Sequence, residues 1–272
     1  MESLSKEAIM DKVTILRFIS LVIILITPPA MTDAPYNKGL LLAVESKQKD
    51  TGWVDMLSKV VMTLTDNSGH QRVRELVIKT MEIANDGDKS LFVFDAPRHI
   101  KGSALLSLSH ISEPNEQWLY LPALKRVKRI ASNNKSGTFM GSEFAYEDLS
   151  SFEIEKYKYR YIEEKKCDGG ICHLVEQTPV YEGSGYSRRI VWQDDSLSRI
   201  WKIIFYDHKN KILKTLHCSN FKQYLGKYWR PQVLTMENHQ TGKVTTLVYS
   251  NYQFNLGLRD TDFHKNALGR DL

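Results

Sequence analysis

Residues 54–66 read VDMLSKVVMTLTD. Val54, Met56, Val60, Met62 and Leu64 fall on one side of a period of two, with Asp55, Lys59, Thr63 and Thr65 on the other. Such alternation predicts a half-buried β-strand. Asn67-Ser68-Gly69 then signals a turn, Gln71 to Ile83 a second long strand, and Asn85-Asp86-Gly87-Asp88 a further turn before Leu91 to Asp95. The rhythm runs on to Phe254, giving about a dozen strand-like runs joined by short polar turns. Short connections imply antiparallel pairing. One good helix candidate precedes them, Tyr36 to Lys47, where Leu40, Leu41 and Val44 cluster at helical spacing. The fold class expected is mostly β: a single large curved antiparallel sheet, an incomplete barrel, wrapped around helix.

The chain has 272 residues, 42% hydrophobic and 25% charged, which excludes a disordered chain, a collagen or a coiled coil as its main body. Lys+Arg 37 against Asp+Glu 32 leaves +5. That weak excess permits contact with an anionic surface and does not demand nucleic acid.

Phe18 to Ile26, FISLVIILI, is uncharged and apolar, about half the ~20 residues of a spanning helix. Lys12 and Arg17 precede it, and Pro28, Pro29 and Ala30 follow. This is the layout of a secretory signal, expected over residues 1–34, with an uncleaved N-terminal anchor and, behind it, a buried core helix as the alternatives. Met10 offers a second start with a cleaner basic flank. Residues 35–272 are then a single exported domain.

Cys167 and Cys172 enclose Asp168-Gly169-Gly170-Ile171 between two strand-like runs. A hairpin there brings the two cysteines within disulfide range. Free thiols, or a metal site with His173, are the alternatives; the latter lacks a second ligand pair. Cys218 is left over on a strand.

The chain carries no H-E-x-x-H, G-x-S-x-G or phosphate-binding glycine loop. Gly183-Ser184-Gly185 reads as a turn, and Glu147-Asp148 as capping or solvated acids. His217 and Cys218, adjacent on a strand, point to opposite faces. No enzyme and no cofactor is expected. Lys125, Arg126, Lys128 and Arg129 form a basic cluster. Charge on both faces protects a sheet edge from aggregation. The sharper reading is contact with an anionic partner, either lipid head groups at a membrane surface or an acidic protein surface.

Aromatic and aliphatic side chains share strand faces: Trp118 with Tyr120, Trp201 with Ile203 and Phe205, and Val248 with Tyr252 and Phe254. A curved sheet lined in this way leaves an apolar cavity. The segment Ser132 to Ser151 breaks the strand rhythm, and its length marks a loop that works or moves. Phe139, Met140 and Phe144 in it are the expected lid over that cavity.

Several stretches resemble the LolA-like outer-membrane lipoprotein-sorting family, over roughly Leu40 to Asp262. They are Met62-Thr63-Leu64 with Gly69 and Arg72; the run Gln117 to Ile130, QWLYLPALKRVKRI; Gly141 to Leu149, GSEFAYEDL; and Trp192, Leu197 to Phe205, Tyr206-Asp207 and Lys214. Glu143 stands where Asp is usual, and Ala145 where a small hydroxyl residue is common. The resemblance implies a periplasmic carrier with a LolA/LolB-like fold. Lipid or lipoprotein acyl chains would be its cargo, and an inner-membrane transporter of the resistance-nodulation-division (RND) class its partner. The rival readings are an accessory subunit of an envelope exporter and an envelope hydrolase.

Overall fold

A computed structural model describes residues 34–269. The expected signal segment lies outside the described residues except for Ala34, which opens helix α1 (Ala34–Lys49). Strands follow in two series. The first is β1 (Asp55–Thr65), β2 (Gln71–Met81), β3 (Lys89–Ala96), β4 (Ala104–Leu108), β5 (Glu116–Leu121) and β6 (Arg126–Arg129). The second is β7 (Tyr157–Cys167), β8 (Gly170–Pro179), β9 (Arg188–Asp194), β10 (Ile200–Tyr206), β11 (Ile212–Tyr224), β12 (Tyr228–Asn238) and β13 (Val244–Phe254).

All join one antiparallel 13-stranded sheet in the order β6-β5-β4-β3-β2-β1-β13-β12-β11-β10-β9-β8-β7. Each series is a meander, and the two meet where β1 pairs β13, with Val60 opposite Tyr249. The sheet stays open, because its edges β6 and β7 do not pair. Residues 130–156 link those edges.

The alternation in β1 is realised: Val60, Met62 and Leu64 are buried in the main core with Leu76, Ile78, Phe92, Phe94, Met236 and Leu247. Asp55, expected on the solvent side, is buried instead. Its carboxylate accepts N–H groups of Leu256 (2.6 Å), Gly257 (3.0 Å) and Leu258 (3.0 Å). Three donors offset the cost of burying the charge, and they fix the chain as it leaves β13. Phe263 and Leu268 of that departing segment then cover the outer face of β3 and β4, against Leu91, Ala104 and Leu106.

Helix α1 packs over the β7 end of the sheet through Ala43, Tyr159 and Val175. Its buried face is Gly39 and Ala43, and Leu40 and Leu41 are exposed, so the Leu40–Leu41–Val44 cluster is not the packing face. Small residues win because the helix lies close: a Cβ on Gly39 would sit 2.9 Å from the Tyr161 backbone nitrogen. The main filler of the concave side is the linking segment. Phe139 and Phe144 are buried in the main core, with Met140, Tyr146 and Leu149 packed against it.

The β7–β8 hairpin carries the Cys167–Cys172 disulfide, Cα–Cα 5.9 Å. Its partners are not directly opposite. Cys167 faces Gly170 and Cys172 faces Lys165, so the bond crosses the hairpin diagonally. Cys218 is free and buried.

Candidate functional site

The concave side carries an open cavity of about 1220 Å³, above the usual ~300–1,000 Å³ of a small-ligand site. Met56 and Ile78 reach it from the first meander, and Ile203, Phe205, Leu216, Phe221, Leu234, Met236, Leu247, Tyr249 and Tyr252 from the second. Phe144 and Leu149 of the linking segment form one wall.

Ile203 and Phe205 therefore stand where the alternation placed them. Trp201 does not line the cavity: its indole donates to the Asp194 carboxylate (2.9 Å) and packs on Phe221 at 4.8 Å. A register shift between Ile200 and Lys202 explains this, because Ile200 lines the cavity in its place. Trp118 and Tyr120 lie on the opposite face of the sheet, against the cluster of Leu106, Phe263 and Leu268. Their neighbours Leu119 and Leu121 are the leucines of β5 that face the main core. Both faces of this part of the sheet are covered, so large apolar side chains suit either side.

Tyr252 enters the cavity by a similar irregularity. The β1–β13 register slips between Leu57 and Lys59, and Asn251 has φ 52°. This bulge turns Tyr252 to the side of Tyr249, the two rings stacked 5.8 Å apart, and away from the exposed Val248.

Phe139, Met140 and Phe144 belong to a pinned plug rather than a loose lid. Phe139 is wholly buried between Phe92 (6.1 Å), Phe94 (5.6 Å) and Tyr146 (5.9 Å). Arg74 of β2 donates to the Met140 carbonyl (2.5 Å), and the Glu143 N–H to Thr245 Oγ1 of β13 (3.0 Å). Asn238 of β12 holds the Glu143 carboxylate (2.7 Å). Lys214 of β11 bonds both the Glu143 carbonyl (2.9 Å) and Asp148 Oδ2 (2.6 Å). The segment is thus fastened to both meanders.

Glu147 and Asp148 are anchors, not solvated acids. Glu147 accepts from Tyr181 (3.0 Å), Ser184 (2.9 Å) and the Gly185 N–H (2.8 Å). Burial, with the neighbouring Asp148, still pushes its carboxyl above the ordinary range. Asp148 also accepts from the Tyr186 hydroxyl (2.8 Å) and the Ala145 N–H (2.7 Å). Ser184 serves this turn, as its Gly-Ser-Gly context predicts.

The polar end of the cavity carries mostly paired charges. Arg230 pairs with Asp50, and Lys47 with Glu153 (3.2 Å). Asp88 is different: burial, opposed by Lys47 and reinforced by the carboxylates of Glu153, Glu82 and Asp50, raises it to about 7. Cys218 also lines the cavity, and burial pushes its thiol up to about 12. A thiol so protonated is a poor nucleophile. The described residues contain no group of three or more His, Cys, Asp or Glu able to hold a metal. No described helix is long and apolar enough to cross a membrane.

The basic cluster sits at the open edge. Lys125 adopts a left-handed conformation (φ 46°) at the turn into β6, and every residue of β6 is exposed. Arg129 pairs with Glu116 (2.9 Å) across to β5. Arg126 and Lys128 lie opposite Leu121 and Leu119, the concave-side positions of β5.

Comparison with known proteins places this geometry. A family model described as an uncharacterized protein matches residues 86–270. The chain is similar to a domain from Vibrio parahaemolyticus named for outer membrane lipoprotein sorting: 49% identity over 86% of this chain and 99% of that one, TM-score 0.84. It is also similar to a DUF1329 family protein from Desulfovibrio piger, with 29% identity, the same coverage and TM-score 0.82. A LolA superfamily protein from Nitrosomonas europaea shares the fold, with 19% identity over 85% of this chain and 99% of that one, TM-score 0.68. No match is found among curated proteins.

Proposed function

The chain belongs to the LolA-like outer-membrane lipoprotein-sorting family, and from that membership and the shape of its cavity we propose a periplasmic carrier of lipid or lipoprotein acyl chains. The carrier holds the chains on the concave side and moves them toward the outer membrane, working beside an RND-type exporter. The single observation that supports this most is an apolar cavity of about 1220 Å³ that the protein's own side chains leave unfilled. Each buried methylene of a guest contributes about 0.8 kcal/mol. Ten methylenes contribute roughly 8 kcal/mol before ordering costs, in the range of micromolar binding.

Native mass spectrometry of protein taken from its own envelope, followed by solvent extraction, tests this. Co-purified lipid, with saturable uptake of a fluorescent fatty-acyl probe, is expected. A lipid-free protein that takes up no probe overturns it.

One observation favours the accessory-subunit reading: among the described residues β6 is paired on one side only, and it is exposed along its length. An open edge of this kind can add a strand from a partner. A stable protein partner in the absence of lipid would select that reading.

A further inference from the structure

A second, smaller cavity of about 420 Å³ adjoins the large one. Ser150, Ser151, Phe152, Glu153 and Arg189 line both. Arg189, half-buried on β9, spends only its Nε, which donates to Gln177 Oε1 (2.8 Å). Its guanidinium lies 4.2 Å from the Tyr157 ring centroid and 5.3 Å from that of Phe152. Among the described residues neither Nη atom has a hydrogen-bond partner, and no carboxylate lies within 4.0 Å. The guanidinium thus lies beside two aromatic rings, with its two Nη atoms unpartnered, on a side chain that lines both cavities.

The buried acids nearby do not compete for it. Asp148 is taken by Lys214, Glu153 by Lys47 and Ser151, and Glu147 by its three donors. Glu113, Glu155 and Glu182 of the smaller cavity are exposed. Lys135 and Lys156 also line it; Lys135 bonds only the Asn115 carbonyl (2.6 Å), and Lys156 the Glu113 carbonyl (2.6 Å) and Asn115 Oδ1 (3.2 Å). Each ammonium keeps a free N–H.

We propose that Arg189 anchors the oxyanion head group, phosphate or carboxylate, of a single amphiphile whose chains lie in the large cavity. The inference rests on the carrier reading and narrows its cargo to lipids with an acidic head group. A guanidinium edge matches two oxygens of such a group, and a neutral head offers it nothing.

The test is calorimetric titration of the full chain with dioctanoyl phosphatidylglycerol, dioctanoylglycerol and inorganic phosphate. Wild type is expected to bind the phospholipid about 10-fold or more tighter than the neutral lipid, the low end of a charge-assisted contact. Arg189→Gln should erase that preference by weakening the phospholipid more than dioctanoylglycerol, and Arg189→Lys should restore part of it. Inorganic phosphate should compete with the phospholipid alone. Equal binding of the two lipids, indifferent to Arg189→Gln, overturns the inference and leaves the carrier intact. Binding of phosphate that depends on Arg189 but does not displace the phospholipid assigns a free-phosphate site, and also overturns it. Binding of neither lipid removes the carrier reading itself.

Discussion

Lys214 Nζ sits 2.6 Å from Asp148 Oδ2, with both side chains almost wholly buried. The lysine belongs to the sheet and the aspartate to the segment that crosses it, so this pair fixes the plug to the concave face. A buried pair is weak evidence of net stability, yet breaking it strands a charge. Lys214→Met is expected to cost about 3–5 kcal/mol. Lys214→Met with Asp148→Asn should recover much of that. Urea unfolding of the two singles and the double checks it; equal losses in the single and the double would mean the pair carries no coupling.

Asp88 makes stability depend on pH. Its carboxyl is raised from 3.8 to about 7, so the native state holds its proton over a range where the unfolded state has lost it. Stability then falls as pH rises from about 4 to about 7. Asp88→Asn removes that loss, and the variant should exceed wild type by roughly 1–3 kcal/mol at pH 8, and match it below pH 4. Unfolding midpoints of both proteins at pH 4, 6 and 8 give the comparison. A difference that does not change with pH counts against the assignment.

Ile203 lines the cavity from β10, opposite Leu216 of β11. Ile203→Trp should fill guest space and weaken acyl-probe binding about 10-fold or more, with a stability change within ~1–3 kcal/mol. Probe titration beside thermal unfolding separates the two effects. Unchanged affinity would place the guest elsewhere.

The Cys167–Cys172 loop is short, so losing its bond should cost only about 2 kcal/mol and leave the fold intact. Differential alkylation should label neither of these cysteines before reduction, and Cys218 only on unfolding. Unfolding of Cys167→Ser with Cys172→Ser supplies the energy.

Lys128 is exposed on the open edge. Lys128→Glu should slow lipid transfer to anionic vesicles more than it weakens probe binding, and the gap should close as salt rises. Equal transfer rates at low salt would remove β6 from the membrane contact.

Much of the fold could be read from alternation. Val60, Met62 and Leu64 alternate because one face of β1 meets the core, and the turns Asn67-Ser68-Gly69 and Asn85-Asp86-Gly87-Asp88 fix the meander. Around β3 to β5 that logic weakens. Leu91 and Val93 pack on the outer cluster and Phe92 and Phe94 on the inner, so the run is apolar throughout. Trp118 and Tyr120 therefore alternate as cavity residues would, although the C-terminal segment covers them. Tyr252 and Trp201 depend on local register slips, which leave no periodic trace. Lys214 stood within the family's pattern, but its counter-ion lies 66 positions away in the chain. Arg189 carries no local signal at all; its meaning comes from Tyr157, Phe152 and Gln177 on other strands and turns.

The meeting of β1 with β13 at the middle of the sheet has a temporal consequence. A chain emerging N-terminus first presents β1 and its neighbour β2 early, yet the strand on the other side of β1 is the last to appear. Until Val244 and its successors arrive, the first meander carries a raw inner flank that can seize any passing strand. Closure waits on the most distant contacts in the molecule, which makes assembly slow and nearly all-or-none. A chain ending before Val244 is therefore expected to aggregate rather than to fold as a smaller sheet.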